Sequence, residues 1–101
     1  MSTEAIRVED FYPQETFDRM KALADTKETP FVVIDLKTIS DHYDTLVEYF
    51  PYSTVYYAVK ANPAPEILTL LRDKGSKFDV ASIYELDKLL GLGVSSDRCS
   101  Y

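Results

Sequence analysis

Lys60 follows directly on Tyr56-Tyr57-Ala58-Val59, an aromatic and apolar run, and precedes Ala61-Asn62-Pro63. A lysine placed there stands at the C-terminal rim of a parallel sheet, the rim where α/β barrels keep their active sites. Its ε-amine is a compact nucleophile, and a lysine withdrawn from water is suited to forming an imine with an aldehyde. An ordinary solvated lysine at a strand end is the plain alternative. Asp79 ends the next strand-like run on the same expected rim, where an anion stabilises a cationic amine or iminium. A simple turn carboxylate explains Asp79 equally. Ser82-Ile83-Tyr84-Glu85 has the S-x-x-E form of a capping box, which by itself accounts for both Ser82 and Glu85. Asn62, before Pro63, reads first as a turn former.

The elements that must position these residues are legible as periodicity. A helix is expected from Pro13 to about Asp25, with Phe17, Met20 and Ala24 on one face and proline at its first position. Thr29-Pro30 ends that region. Phe31-Val32-Val33-Ile34, mostly β-branched, predicts a strand. Tyr43, Leu46, Val47 and Phe50 form the apolar stripe of a helix over 38–50, closed by Pro51. A strand over 54–59 is apolar enough to predict burial on both faces. A helix over 64–74 with Gly75 at its C-cap, a strand over 77–81, a helix from Ser82 to about Gly91 and a strand beginning at Arg98 complete the order. Strands alternating with amphipathic helices predict βαβ units and a parallel sheet. Residues 1–12 have no clean period.

Composition excludes several functions. The 101 residues hold 11 Lys+Arg against 17 Asp+Glu, a net charge of −6, with 46% hydrophobic residues. An acidic chain without a basic run predicts neither a nucleic-acid nor a membrane partner. No apolar stretch is long enough to span a bilayer, and the first ten residues lack a signal-peptide core, so a cytoplasmic location is expected. One cysteine, Cys99, fits a reducing compartment and reads as a small apolar residue of a strand. With only His42 beside it, no metal site is expected.

Tyr57-Ala58-Val59-Lys60-Ala61-Asn62 resembles the cofactor-attachment motif of the fold type III pyridoxal-phosphate-dependent decarboxylases of basic amino acids. Gly75-Ser76-Lys77-Phe78-Asp79-Val80-Ala81-Ser82, with Glu85 and then Gly91-Leu92-Gly93-Val94, is similar to the next segment of that family. Its Phe-Asp-x-Ala-Ser form resembles the ornithine and lysine decarboxylases more than the diaminopimelate enzymes. Pro30 to Asp35 is similar to the strand that precedes the family's barrel. The resemblance covers about residues 29–101.

That resemblance implies an α/β fold, the incomplete N-terminal part of a (β/α)8 TIM-type barrel of alanine racemase-like form. Residues 1–37 would be an N-terminal segment belonging in part to a second, β-rich domain, and residues 38–101 the first βα units of the barrel. It implies pyridoxal 5′-phosphate as cofactor, held by Lys60 as an internal aldimine, with Ala58 and Asp79 beside it. Lys60, Asp79 and Glu85 would form the catalytic set. The activity implied is decarboxylation of ornithine, lysine or both to putrescine or cadaverine in polyamine biosynthesis, by a homodimer acting on a small amino acid. Related enzymes acting on diaminopimelate or carboxynorspermidine, and a non-catalytic regulatory relative, are the alternatives. Because the family's remaining site residues lie later in its chain, the 101 residues alone are expected to be a fragment without decarboxylase activity.

Overall fold

A computed structural model describes residues 5–101, so the reading of residues 1–12 as aperiodic lies partly outside the described residues. The chain divides into two compact units, Met1–Ile34 and Asp35–Tyr101.

In the first unit a 3-10 turn, Val8–Asp10, precedes helix α1, Gln14–Ala24. Pro13 stands immediately before the helix with φ −57°, already the value a first turn needs. Phe17, Met20 and Ala24 form the half-buried stripe that their spacing anticipates. Residues 31–34, expected as a strand, carry no regular secondary structure. A strand needs a neighbour to accept and donate its backbone hydrogen bonds, and no ladder partner for 31–34 exists among the described residues. Val32 accordingly stays 86% exposed.

The second unit runs α2 (Leu36–Tyr49), β1 (Tyr56–Ala58), α3 (Pro65–Asp73), β2 (Lys77–Asp79), α4 (Ile83–Gly91) and β3 (Cys99–Ser100). The three strands form one parallel sheet in the order β1-β2-β3. α2 starts earlier than its apolar stripe suggests because Asp35 caps it. The carboxylate accepts the Lys37 and Thr38 N–H groups at 3.1 and 3.5 Å and the Thr38 hydroxyl at 2.8 Å.

Register decides what is buried. Tyr57, Phe78 and Cys99 lie side by side across the sheet. Their row packs with Val59, Val80 and Val94 against Ile67, Leu68 and Leu71 of α3 and Leu89 of α4. The alternate residues turn to the opposite face, where Tyr56 is 47% exposed and Asp79 and Ser100 are exposed. The expectation of strands buried on both faces is therefore corrected: among the described residues of this unit, helices cover one face. Consecutive parallel strands joined by right-handed crossovers place α3 and α4 on the same side.

The edge of the sheet where the strands begin is tied by arginine. Arg98 Nη2 donates to the Ser76 carbonyl at 2.6 Å and the Arg72 carbonyl at 2.9 Å, and Nε donates to Ser76 at 3.2 Å. A cation thus completes the carbonyl end of α3. Both α3 and α4 end in Schellman turns. Gly75 N–H donates to Arg72 and Ser76 N–H to Leu71; Gly93 N–H donates to Leu90 and Val94 N–H to Leu89. Gly75 and Gly93 have φ of +89° and +84°. α4 stops at Gly91 as expected, and the left-handed residue of the turn that follows is Gly93.

Candidate active site

The site begins where β1 ends. Ala58 is the last residue of the strand, and Val59–Ala61 turn as one 3-10 turn with Lys60 at its centre. Val59 is fully buried, so the turn is anchored in the core while Lys60 projects into solvent. Lys60 forms no ion pair with any described carboxylate. Its amine is available for covalent chemistry.

Two bonds close the turn behind it. The Tyr57 hydroxyl donates to the Asn62 carbonyl at 2.9 Å, and Asn62 Oδ1 accepts the Ala64 N–H at 3.1 Å. Asn62 is thus the turn former that its type suggests. Burial pushes the Tyr57 phenol above its ordinary pKa, which keeps the hydroxyl a donor at neutral pH. Farther along, the Lys88 ammonium donates to the Pro63 carbonyl at 3.2 Å, tying α4 to the same loop. Neither the Tyr57 nor the Lys88 bond was legible in the sequence, because both join side chains to backbone carbonyls at positions no motif marks.

Asp79 is the last residue of β2 and pairs in register with Ala58 on one side and Ser100 on the other. All three stand at the C-terminal ends of their strands, on the open face. Ser100 joins the rim unannounced by sequence, since only the pairing of β3 reveals its register. Glu85 and Ser82 lie at the next loop. Ser82 Oγ accepts the Glu85 N–H at 3.3 Å, and Glu85 Oε1 accepts the Ala81 N–H at 2.6 Å. Capping therefore does account for both side chains, with the carboxylate reaching one residue past the N-cap. Beside this loop a cavity of about 300 Å³ is lined by Val80, Ser82, Ile83, Leu86 and Tyr101.

Cys99 and His42 stand apart from this group. Burial raises the Cys99 pKa and keeps the thiol neutral in β3, and His42 is exposed on α2. Among the described residues no group of three or more His, Cys, Asp or Glu could hold a metal, and no helix is long and apolar enough to cross a membrane.

The rim has the parts an aldehyde cofactor needs: a free primary amine on an anchored turn, a small neighbour in Ala58, and a carboxylate on the adjacent strand end. Comparison with known proteins bears on what such parts do. Residues 36–101 match the family model described as pyridoxal-dependent decarboxylase, pyridoxal binding domain. The chain is 44% identical over 82 residues to the lysine/ornithine decarboxylase of Selenomonas ruminantium, covering 81% of this chain and 21% of that one. The crystal structure of lysine decarboxylase from Selenomonas ruminantium superposes with a TM-score of 0.80 at 42% identity, covering 90% of this chain and 23% of the other. A structure described as SrLDC in complex with PLP and cadaverine gives a TM-score of 0.76 at 36% identity, covering 98% and 24%. The chain thus spans about a fifth to a quarter of the length of these three relatives.

Proposed function

Because the chain belongs to the pyridoxal-dependent decarboxylase family, we propose that it is part of an enzyme that holds pyridoxal 5′-phosphate through Lys60 and decarboxylates a basic amino acid. Ornithine, lysine or both are the substrates, and putrescine or cadaverine the products of a step in polyamine formation. The observation that carries this reading is the rim: Ala58 and Asp79 pair at adjacent strand ends, and Lys60 follows two residues after Ala58.

The roles follow from position and chemistry. Lys60 binds the cofactor aldehyde through its amine, and the buried Val59 fixes the backbone from which that amine extends. Asp79 presents a carboxylate at the end of the strand adjacent to the one that leads into Lys60, on the same rim. Ala58, small and on the open face, leaves room for the cofactor ring. Glu85, held by the Ala81 N–H, presents a carboxylate at the neighbouring loop. The cofactor, when bound, supplies the electron sink that accepts the charge left as carbon dioxide departs.

The open face of the sheet supports a barrel whose lumen it lines, with 38–101 as the first βα units. Residues 31–34, apolar and unpaired, support the assignment of part of 1–37 to a second, β-rich domain. The enzyme acts as a homodimer in the cytoplasm, a location supported by Cys99 being a free cysteine.

Borohydride trapping with pyridoxal phosphate, followed by peptide mapping, tests the tether. Label concentrated on Lys60 is the expected result, and label spread evenly over the lysines would overturn it. Carbon dioxide release from ornithine and from lysine by the whole protein then assigns the substrate.

A further inference from the structure

Lys60 is exposed and forms no ion pair with any described carboxylate, so among the described residues no salt bridge at the tip of its side chain fixes where its amine points. Its direction is set by its backbone. That backbone is a single 3-10 turn of three residues, whose hydrogen-bond geometry is poorer than that of an α-helix. Support on the N-terminal side comes from Val59, which is fully buried. On the C-terminal side it comes from Tyr57, whose hydroxyl reaches across the turn to the Asn62 carbonyl at 2.9 Å. The bond joins residues five apart and closes Lys60 inside a ring of chain.

We propose that Tyr57 is a positioning residue for Lys60, its hydroxyl bond to the Asn62 carbonyl holding the turn that aims the amine at the cofactor aldehyde. This rests on the reading of Lys60 as the tether. The Tyr57 ring already packs against the core beside Phe78, so packing accounts for the aromatic ring but not for the hydroxyl. A phenylalanine would fill the same space. What phenylalanine lacks is the donor, and only that donor spans the turn. Asn62 also holds the Ala64 N–H through its own side chain, so the carbonyl that Tyr57 grips belongs to an already ordered residue. The clamp therefore runs from the core, through the phenol, to the start of α3.

The test uses the full chain as wild type, Tyr57→Phe and Tyr43→Phe, each treated with pyridoxal phosphate and borohydride and then mapped. Tyr43 is a half-buried ring against the same core, on α2 and away from the turn. The readout is the ratio of label on Lys60 to label on Lys74 and Lys77, which a general loss of stability does not selectively change. Tyr57→Phe is expected to lower this ratio about fivefold, the equivalent of one neutral hydrogen bond. Tyr43→Phe is expected to leave it unchanged, with circular dichroism equal for all three proteins. Hydrogen exchange at the Ala64 amide is expected to quicken in Tyr57→Phe alone. A wild-type ratio in Tyr57→Phe overturns the proposal and leaves Lys60 as tether. A fall in Tyr57→Phe that accompanies lost helicity also overturns it, because the hydroxyl then acts through the fold as a whole. No preference for Lys60 in the wild type overturns the tether reading itself, and this proposal with it.

Discussion

Glu85 Oε1 accepts the backbone N–H of Ala81 at 2.6 Å, one residue before Ser82, whose hydroxyl accepts the Glu85 N–H in return. The capping box is thus stretched by one residue. The difference matters because Ala81 belongs to the loop that leaves Asp79 at the end of β2. Glu85 therefore fixes both the first turn of α4 and the chain that carries the rim carboxylate. Its negative charge also sits at the positive end of the α4 dipole. Capping and a place near the cofactor are compatible, since the N–H occupies only one of the two carboxylate oxygens.

The two halves of this arrangement separate by mutation. Ser82→Ala removes the cap and is expected to cost about 1 kcal/mol of stability. Glu85→Gln keeps an oxygen for the Ala81 N–H and is expected to cost less than Glu85→Ala, which leaves that donor unpaired. Urea unfolding of the three variants reads the order. Equal losses for Gln and Ala would mean that the Ala81 bond contributes nothing.

Two glycines near the end of α4 give opposite expectations. Gly91 lies within the helix and Gly93 at φ +84°, and a Cβ at either would meet no atom within 4 Å. With sterics removed, only backbone preference is left. Gly91→Ala is expected to stabilise by about 0.5–1 kcal/mol, since alanine is the better helix former. Gly93→Ala is expected to destabilise by about 1 kcal/mol or more, because it forces alanine into the left-handed region. Thermal midpoints moving in opposite directions would bear this out; a gain at Gly93 would contradict the Schellman turn.

Sequence pattern recovers this fold wherever an element makes its own hydrogen bonds or meets its neighbour within a few residues. α1, α2, α3 and α4 follow from their apolar stripes, and β1 and β2 from runs bounded by turns. It misleads where the partner is distant. Residues 31–34 have strand composition but no ladder among the described residues, and the near-continuous apolar and aromatic run 54–59 predicts burial on both faces where Tyr56 is exposed. Neither error is visible in local periodicity, which states what a segment prefers and not what stands beside it. At the site, Lys60, Asp79 and Glu85 were singled out by motif, and Ser82 and Asn62 as local formers of a cap and a turn. Ser100 needed the β2–β3 register, and the Tyr57 and Lys88 bonds needed coordinates.

Acid should loosen the start of α2 through Asp35. The hydrogen bond from the Thr38 hydroxyl, against a smaller cost of desolvation, holds the Asp35 carboxyl below its ordinary value, helped by the Thr38 and Lys37 N–H groups. A carboxyl whose folded pKa is lowered stabilises the fold above its unfolded pKa, about 3.9, and loses that contribution as pH falls through the folded value. Helicity followed by circular dichroism from neutral pH downward is expected to keep the Asp35 contribution to about pH 3.9 and to fall more steeply below it in the wild type than the loss of the other carboxylates alone would give. Asp35→Asn, which keeps a capping oxygen but cannot titrate, should flatten that part of the curve. A wild-type curve indistinguishable from Asp35→Asn would show that the cap works without its charge.

The two ends of the sheet should separate chemistry from stability. Arg98 is bound to the Ser76 and Arg72 carbonyls where the strands begin, and its guanidinium lies 5.9 Å from the centre of the buried Phe78 ring. Arg98→Met leaves those carbonyls short of a donor and is expected to cost about 2 kcal/mol. It should nonetheless leave label at Lys60 unchanged while the protein stays folded. Lys60→Ala removes an exposed side chain that pairs with no described carboxylate and is expected to move stability by less than about 0.5 kcal/mol, while abolishing the trapped cofactor peptide. Denaturant midpoints and trapping yields measured on both variants form a two-by-two comparison. Parallel strands deliver their C-terminal ends to one rim, so that rim is free to carry reactive side chains once the opposite edge has secured the fold. If Arg98→Met lost trapping in step with Lys60→Ala at temperatures where it remains folded, the two edges would be coupled and this division would fail.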